Sequence, residues 1–286
     1  MREARWLVPG RLYEALSSEP GECLAWPKDP AERRSAAIGR IAFRSPLLLG
    51  GQAARAGMSC ATCHRNGRGN PDFQFSGLSG AAGTADVTSS LMSSHRGDHI
   101  ANPKPIPDLG GPRSLLKVSR APDGKLESFI YGLVVEEFDG PEPSQEVLEG
   151  LASYVRALRP EACSGGERPI RLEERLGEVD AAVALARQSG GETRRLLLAA
   201  ARSTLGAIDE RYQLAGLENH RALLHRADRS LEAIRSEEAG FAAWDQIWPR
   251  TRSDLLRSER RSLFARSQLR RLIDEEGRLR AESSAP

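Results

Sequence analysis

The sequence predicts an all-α protein with a loop-rich first part and a helical second part. Apolar residues recur at helical spacing in three short stretches of the first part, whereas residues 65–124 are rich in Gly, Pro, Ser, Asn and Asp. After Gly165 only Pro169 and Pro249 interrupt a strong helical periodicity. We therefore predict three units: an irregular N-terminal strap over 1–30, a first domain over 31–163 and an α-helical bundle over 165–280.

Boundary signals place the helices of the first part. Ile38 and Ile41 lie at helical spacing in a helix predicted over 31–44, which Pro46 terminates. A second apolar stripe predicts a helix over 125–138. Ser144 is a suitable N-cap for a third helix, which ends before a proline at position 160.

Five helices are predicted in the second part. Their apolar residues lie at helical spacing over 172–186, 196–212, 217–234, 241–248 and 255–273, of which the fourth is short. The connections between them are also short, which favours antiparallel neighbours in a bundle. No repeat of fixed period is visible, so a solenoid is not expected.

The segment Cys60-Ala61-Thr62-Cys63-His64 indicates the chemistry of the chain. Cys-x-x-Cys-His is the attachment signature of a c-type haem, whose vinyl groups form thioethers with the two thiols. The imidazole of His64 is then the proximal ligand of the iron. A zinc half-site, a redox dithiol and a chance occurrence are the alternatives, but a zinc site needs a second ligand pair and a thioredoxin-like motif needs a βαβ pattern. We expect one covalent haem c, held by Cys60, Cys63 and His64.

The order of elements around this motif resembles a class I cytochrome c domain. A first helix contains Gly39 and Phe43, the haem turn follows, and a final helix contains Tyr154. In that family the first and last helices cross at a small residue and an aromatic side chain, which implies the same crossing here. The resemblance covers about residues 33–160 and implies a cytochrome c-like haem domain with long irregular loops. The helices after it match no family that we recognise.

A narrower resemblance is to the haem domains of bacterial di-haem cytochrome c peroxidases and their methylamine-utilisation relatives. It depends on Gly39-Arg40-Ile41-Ala42-Phe43, Leu49-Gly50-Gly51 and the run from Met58 to His64. Those enzymes carry two covalent haems, one that delivers electrons and one that meets the peroxide. This chain has a single Cys-x-x-Cys-His motif, which counts against autonomous di-haem peroxidase activity.

The sixth coordination position of the iron would decide the function of the haem. A strong second ligand favours electron transfer, and an open position allows small-molecule chemistry. Met92 and then His99 are the leading candidates for the distal ligand, followed by His95. The alternative is that none of the three residues binds the iron. Met92 would then fill space in the apolar core, and both histidines would be solvated loop residues.

Several arginines surround the haem segment in the sequence, namely Arg44, Arg55, Arg65, Arg68 and Arg113. A guanidinium pairs with carboxylates through its planar fork. Arg44 and Arg68 are therefore candidates to hold haem propionates, and a solvated loop charge is the alternative for each. No catalytic residue is predicted.

Composition limits the partners and the location. The formal net charge of +2 counts against a chain dominated by polyanion binding, so no nucleic-acid partner is expected. No apolar stretch reaches the roughly 18 residues of a transmembrane helix. Haem is attached to this motif outside the cytoplasm, so we expect a periplasmic protein, although residues 1–10 lack the apolar core of a signal peptide. In an oxidising compartment Cys23 and Cys163 could form a disulfide, and two free cysteines are the alternative.

Three hypotheses for the function follow. The leading one is an exported mono-haem cytochrome that passes single electrons to or from a redox partner protein, with the C-terminal helices docking that partner or forming a homo-oligomer. The second is a peroxidase-like or other oxidative haem enzyme with an open distal site. The third is a haem-based sensor in which the state of the haem changes the bundle.

Overall fold

The computed structural model describes residues 1–88, 91–112, 116–163, 165–234 and 240–283, with side chains up to residue 276. These residues contain eleven α-helices and four strands of two or three residues, which form two antiparallel pairs. The protein is mostly helical, so the predicted all-α class is confirmed at this level.

The N-terminal segment is more ordered than the irregular strap that the sequence predicts. Two 3-10 turns lead into helix α1 (Leu12–Ser17) and strand β1 (Ser18–Pro20), which pairs with β4 (Glu167–Pro169). Trp6 and Leu16 are buried in one apolar cluster with a residue of the last helix. Burial of these side chains stabilises a segment whose helix is too short to show a periodic pattern.

Helices α2 (Pro30–Ala42) and α6 (Gln145–Ala157) pack closely against each other. Their boundaries agree with the predicted first and last helices of the first domain. Asp29 caps α2 by accepting hydrogen bonds from the backbone N–H groups of residues 31 and 32, at 3.0 and 2.9 Å. Pro30 occupies the first helical position, where a missing N–H has no cost.

The two helices cross at a pair of glycines. A Cβ atom added at Gly39 would lie 1.8 Å from the carbonyl oxygen of Gly150, so a residue with a side chain cannot occupy this position at the same helix separation. Beside the glycines, the rings of Phe43 and Tyr154 meet edge to face, with centroids 5.1 Å apart. The crossing at Gly39, Phe43 and Tyr154 that the resemblance implies is therefore present, and Gly150 is its unpredicted partner.

Short elements connect α2 to α6, namely α3 (Gly51–Ala56), α4 (Cys60–Cys63), β2 (Thr84–Ala85), β3 (Lys104–Pro105) and α5 (Lys125–Gly132). Helix α5 continues into a π-helical turn over Leu133–Glu137. In the irregular stretch before α5, Phe73, Leu78 and Met92 are buried and share an apolar cluster with Met58. These four side chains fix the path of a segment that has little regular structure.

The second part consists of the helices α7 (Leu172–Arg187), α8 (Gly191–Arg211), α9 (Glu218–Glu232), α10 (Ala242–Ser258) and α11 (Arg266–Ser283). Helix α7 packs on α8, α8 on α9 and α9 on α10, around an apolar core. No helix in the described ranges combines the length and the apolar character that a membrane crossing requires.

The fourth helix of this bundle is longer than predicted. The sequence predicts helices over 241–248 and 255–273, but α10 continues through Pro249 and includes Leu255, and α11 begins only at Arg266. A proline inside a helix costs about 3 kcal/mol. Trp244 and Trp248 offset this cost, because both are buried and their rings stack 4.6 Å apart.

Candidate functional site

The Cys-x-x-Cys-His segment forms a single helical turn, α4, with a defined N-terminus. Ser59 and Thr62 form a capping box, in which the Ser59 N–H donates to Thr62 Oγ1 at 3.0 Å. The Ala61 N–H donates to the carbonyl oxygen of Phe43 at 3.1 Å, which ties the turn to the end of α2. The His64 N–H donates to the carbonyl oxygen of Cys60 at 2.8 Å and closes the turn. Two thiols and one imidazole are thus presented by a fixed backbone.

Both thiols of the turn lie against apolar side chains. Cys60 packs against two of the apolar clusters, and Cys63 packs against the cluster that contains Met92. Burial raises the pKa of each thiol to about 12. Both cysteines are therefore protonated at neutral pH, unlike the low-pKa thiols of redox-active or nucleophilic cysteines.

His64 has a defined tautomer. Its Nδ1 atom lies 3.0 Å from the carbonyl oxygen of Pro107. A carbonyl oxygen can only accept, so Nδ1 carries the proton and Nε2 carries the free lone pair. Burial lowers the pKa of His64 to about 4, although the Pro107 carbonyl and the carboxylate of Asp108 act in the opposite direction. At neutral pH the ring is neutral, with Nε2 available as a ligand atom.

The loop that accepts this hydrogen bond is held by an ion pair. Arg68 Nε donates to both carboxylate oxygens of Asp108, at 2.8 and 2.7 Å. The Gly110 N–H donates to Asp108 Oδ1 at 2.8 Å. The other end of Arg68 contacts the sulfurs of Cys23 and Cys163, which form a disulfide. The structure therefore selects the disulfide from the two alternatives that the sequence leaves open.

The candidate distal ligands have very different surroundings. Met92 is 1% exposed and packs in the cluster that also contacts Cys60 and Cys63. His99 is exposed, and its backbone lies in the left-handed region with a φ of 59°. The side chain of His95 is 60% exposed, with Nδ1 3.1 Å from Asp139. Of the three candidates, only Met92 belongs to the apolar cluster against which the half-buried Cys60 and Cys63 pack.

Arg44 lies in a buried ion-pair network. Its Nη2 donates to Glu22 Oε1 and to Asn66 Oδ1, each at 2.9 Å. Glu22 also accepts from Arg40 Nε at 2.8 Å and from the Tyr154 hydroxyl at 2.7 Å. Burial opposes the charge on Glu22, but the two arginines hold its pKa at about 2. Contacts of Arg44 and Arg68 with haem propionates stay predictions.

The remaining arginines near the Cys-x-x-Cys-His segment in the sequence are spread over different surroundings. Arg65 Nη2 donates to the carbonyl oxygens of Ala15 and Ser18, at 2.7 and 2.9 Å. Arg55 is exposed. Arg113 lies outside the described residues.

The structure thus brings Cys60, Cys63, His64 and Met92 into one region and leaves His95 and His99 at the surface. Sequence reasoning missed Pro107, because its contribution is a backbone carbonyl that no residue type encodes. It also missed Glu22, which lies in a segment without any helical or strand periodicity. No protein-family model, curated protein or solved structure matches this chain.

Proposed function

We propose that this chain is a c-type cytochrome that carries one covalent haem and transfers single electrons to or from a redox partner protein. The observation that supports the proposal most directly is the state of His64, whose Nδ1–H is donated to Pro107 while Nε2 keeps its lone pair. Metal-binding histidines usually donate their second ring N–H in this way, which orients the ring and raises its basicity. A bound haem would supply one-electron exchange between ferric and ferrous iron.

The two cysteines suit covalent attachment better than thiolate chemistry. Cys60 and Cys63 are on one capped turn, and apolar side chains surround both. A protonated thiol is the form that adds across a vinyl group to give a thioether, and burial keeps both thiols protonated. The same apolar surroundings would contact the apolar porphyrin faces.

We assign the distal position to Met92 ahead of His99. Met92 is buried in the apolar cluster against which the two cysteines pack, whereas His99 is exposed. A thioether ligand raises the haem reduction potential and fills the sixth position, which favours electron transfer over small-molecule chemistry. The electron-carrier function is accordingly proposed ahead of an oxidative enzyme or a sensor.

Two further features support the likeness to a class I cytochrome c domain over 33–160 and the periplasmic location that we propose. The first and last helices of this region cross at Gly39 and Gly150 beside Phe43 and Tyr154. The Cys23–Cys163 disulfide is typical of a protein from an oxidising compartment.

The test is to produce the full chain with a c-type haem maturation system and to measure its ferric and ferrous visible spectra. Covalent attachment is checked by extraction with acidified organic solvent, which removes non-covalent haem only. A Cys60→Ser/Cys63→Ser variant with otherwise unchanged sequence is the control. We expect haem that resists extraction in the native chain and no such haem in the double variant.

Carbon monoxide distinguishes the functions that a bound haem could perform. The carrier function requires low-spin spectra in both oxidation states that carbon monoxide does not change. A high-spin ferrous haem that binds carbon monoxide rapidly would favour the oxidative enzyme or the sensor. Haem that is fully extracted, or no haem at all, would contradict the cytochrome proposal itself.

A further inference from the structure

A guanidinium group contacts both sulfurs of the Cys23–Cys163 disulfide. Arg68 Nη1 lies 3.1 Å from Cys23 Sγ and 3.7 Å from Cys163 Sγ. While the disulfide is closed, its sulfurs are only weak acceptors for a guanidinium N–H. A cation there stabilises the thiolate that forms when the bond opens, and thiols next to Arg have a lowered pKa.

The two sulfurs differ in accessibility. Cys23 is 0% exposed, whereas Cys163 is partly exposed. The backbone around them is paired independently of the disulfide, with the Arg159 N–H donating to the Cys23 carbonyl oxygen at 2.8 Å and the Ala25 N–H donating to the Ala157 carbonyl oxygen at 2.9 Å. Opening the S–S bond therefore leaves Cys23 next to Arg68.

We propose that Cys23–Cys163 is a redox-active disulfide, opened by a dithiol reductant that attacks Cys163 while Arg68 stabilises Cys23 as the leaving thiolate. The attacking thiolate forms a mixed disulfide with Cys163, and the electron pair of the broken S–S bond goes to Cys23 Sγ. The second thiol of the reductant, after losing its proton, then attacks the mixed disulfide, releases Cys163 as a thiol and leaves the reductant oxidised. Two electrons pass from the dithiol to the protein.

Reduction would also affect the loop beside His64. The guanidinium of Arg68 contacts the disulfide through Nη1 and the carboxylate of Asp108 through Nε. The residue before Asp108 is Pro107, whose carbonyl oxygen accepts the hydrogen bond from His64. A thiolate at Cys23 would compete with Asp108 for Arg68. This consequence rests on the proposed haem function, because the hydrogen bond of a proximal histidine tunes the iron.

The test is the rate at which dithiothreitol reduces the disulfide in the folded full chain. Samples are quenched with iodoacetamide, and the alkylated peptides of Cys23 and Cys163 are quantified by mass spectrometry. We expect Arg68→Gln to slow the reduction about tenfold, because the leaving thiolate loses its cation. Arg68→Lys keeps a positive charge and should stay closer to the native rate. Arg11→Gln removes a surface guanidinium that pairs with Asp72 and should leave the rate unchanged.

Equal rates for Arg68→Gln, Arg68→Lys and the native chain would overturn the proposal, as would a native disulfide that dithiothreitol does not reduce until the protein unfolds. Far-UV circular dichroism establishes that each variant is folded. A second readout is the haem reduction potential of the native chain with the disulfide closed and after its reduction, which should differ, whereas a Cys23→Ser/Cys163→Ser variant should show no difference under the same two conditions. An unchanged potential would refute the coupling to His64, and absence of covalent haem would refute the proposed function while leaving the reduction rates interpretable.

Discussion

Three neutral side chains define what the turn over 60–64 can bind. Burial keeps Cys60 and Cys63 as thiols and His64 as a neutral imidazole at pH 7. The same three residues with lowered thiol pKa values would suit a redox dithiol. The apolar surroundings therefore distinguish two uses of one motif, and those surroundings come from residues distant in the sequence.

The chain offers a matched pair of methionines to test the distal ligand. Met58 and Met92 are 2% and 1% exposed, and both belong to the same apolar cluster. Met92→Leu should give a haem-loaded protein whose ferrous form binds carbon monoxide, because a leucine side chain has no ligand atom. Met58→Leu conserves volume in the same way and should leave the spectrum low-spin. A low-spin, unreactive Met92→Leu variant would instead direct attention to His99.

Glu22 is expected to make the stability pH-dependent. Its pKa in the folded state is about 2, against a usual value of 4.5. A carboxyl with a lowered pKa stabilises the fold fully above 4.5, and this contribution is lost as the pH falls from 4.5 towards 2. The shift corresponds to about 3 kcal/mol. Glu22→Gln should lower the free energy of unfolding by a similar amount at pH 7 and by much less at pH 3, as measured by urea denaturation.

The control for Glu22 is Glu146, which pairs with Arg34 at 2.6 Å but has a side chain that is 39% exposed. Solvent screens such a pair, so Glu146→Gln should cost less than about 1 kcal/mol. Equal losses for the two variants, or a loss at Glu22 that does not depend on pH, would contradict the burial argument.

The sequence singles out individual residues where the chemistry of the side chain is the signal, and their roles toward a haem stay predictions. Cys60, Cys63 and His64 form a spacing pattern, and Met92 is one of only three methionines in the chain. The carbonyl of Pro107 and the carboxylate of Glu22 were not predictable, because their roles depend on tertiary contacts. The pairing of Cys23 with Cys163 stayed open for the same reason.

At the scale of the elements, the crossing of α2 and α6 is the contact in the first part of the chain that restricts side-chain size most strongly. The closest approach is between backbones, since an added Cβ at Gly39 would overlap the Gly150 carbonyl. The aromatic pair at this crossing lies next to His64, whose ring centroid is 6.2 Å from that of Phe43. A change in the helix separation would therefore reach the candidate site.

Gly39→Ala should destabilise the fold by at least about 3 kcal/mol, because the helices must separate to admit the methyl group. Gly177→Ala is the matched control, since Gly177 lies inside α7 and a Cβ there would meet no atom within 4 Å. That change should stabilise the protein by about 0.5–1 kcal/mol through helix propensity. Both values come from urea denaturation of the full chain. A neutral Gly39→Ala variant would show that the crossing is adaptable.

Elements were predictable where the apolar pattern is long. The helices over 30–42, 145–157 and 172–187 agree with the predicted positions within about two residues. The pattern failed at α10, where a proline suggested an end that the stacked tryptophans prevent, and at α1, which is six residues long. In both places tertiary packing decides the structure, and a local pattern contains no information on it.

At the scale of the whole molecule, the N-terminal segment joins the two predicted domains. Strand β1 pairs with β4, and Arg2 forms an ion pair with Glu210 of α8 at 2.6 Å. The buried guanidinium of Arg211 donates to the carbonyl oxygen of Leu16 at 2.9 Å. Ile41 of α2 adds a further contact between the two parts of the chain, because its side chain packs in the apolar core of the C-terminal helices.

These contacts predict that the first part of the chain, which contains the turn over 60–64, and the bundle unfold together. In a Trp6→Phe/Trp26→Phe background, Trp244 and Trp248 report on the bundle by fluorescence, and the visible absorption of an attached haem reports on the turn over 60–64. We expect the two probes to show coincident transitions in urea. The reason is that the two parts share apolar surface and partly buried ion pairs, so unfolding either part disrupts contacts of the other. Two separate midpoints would show that 31–163 and 165–280 unfold as independent domains. Removing the shared ion pair with Glu210→Gln should lower both midpoints equally if the molecule is one cooperative unit.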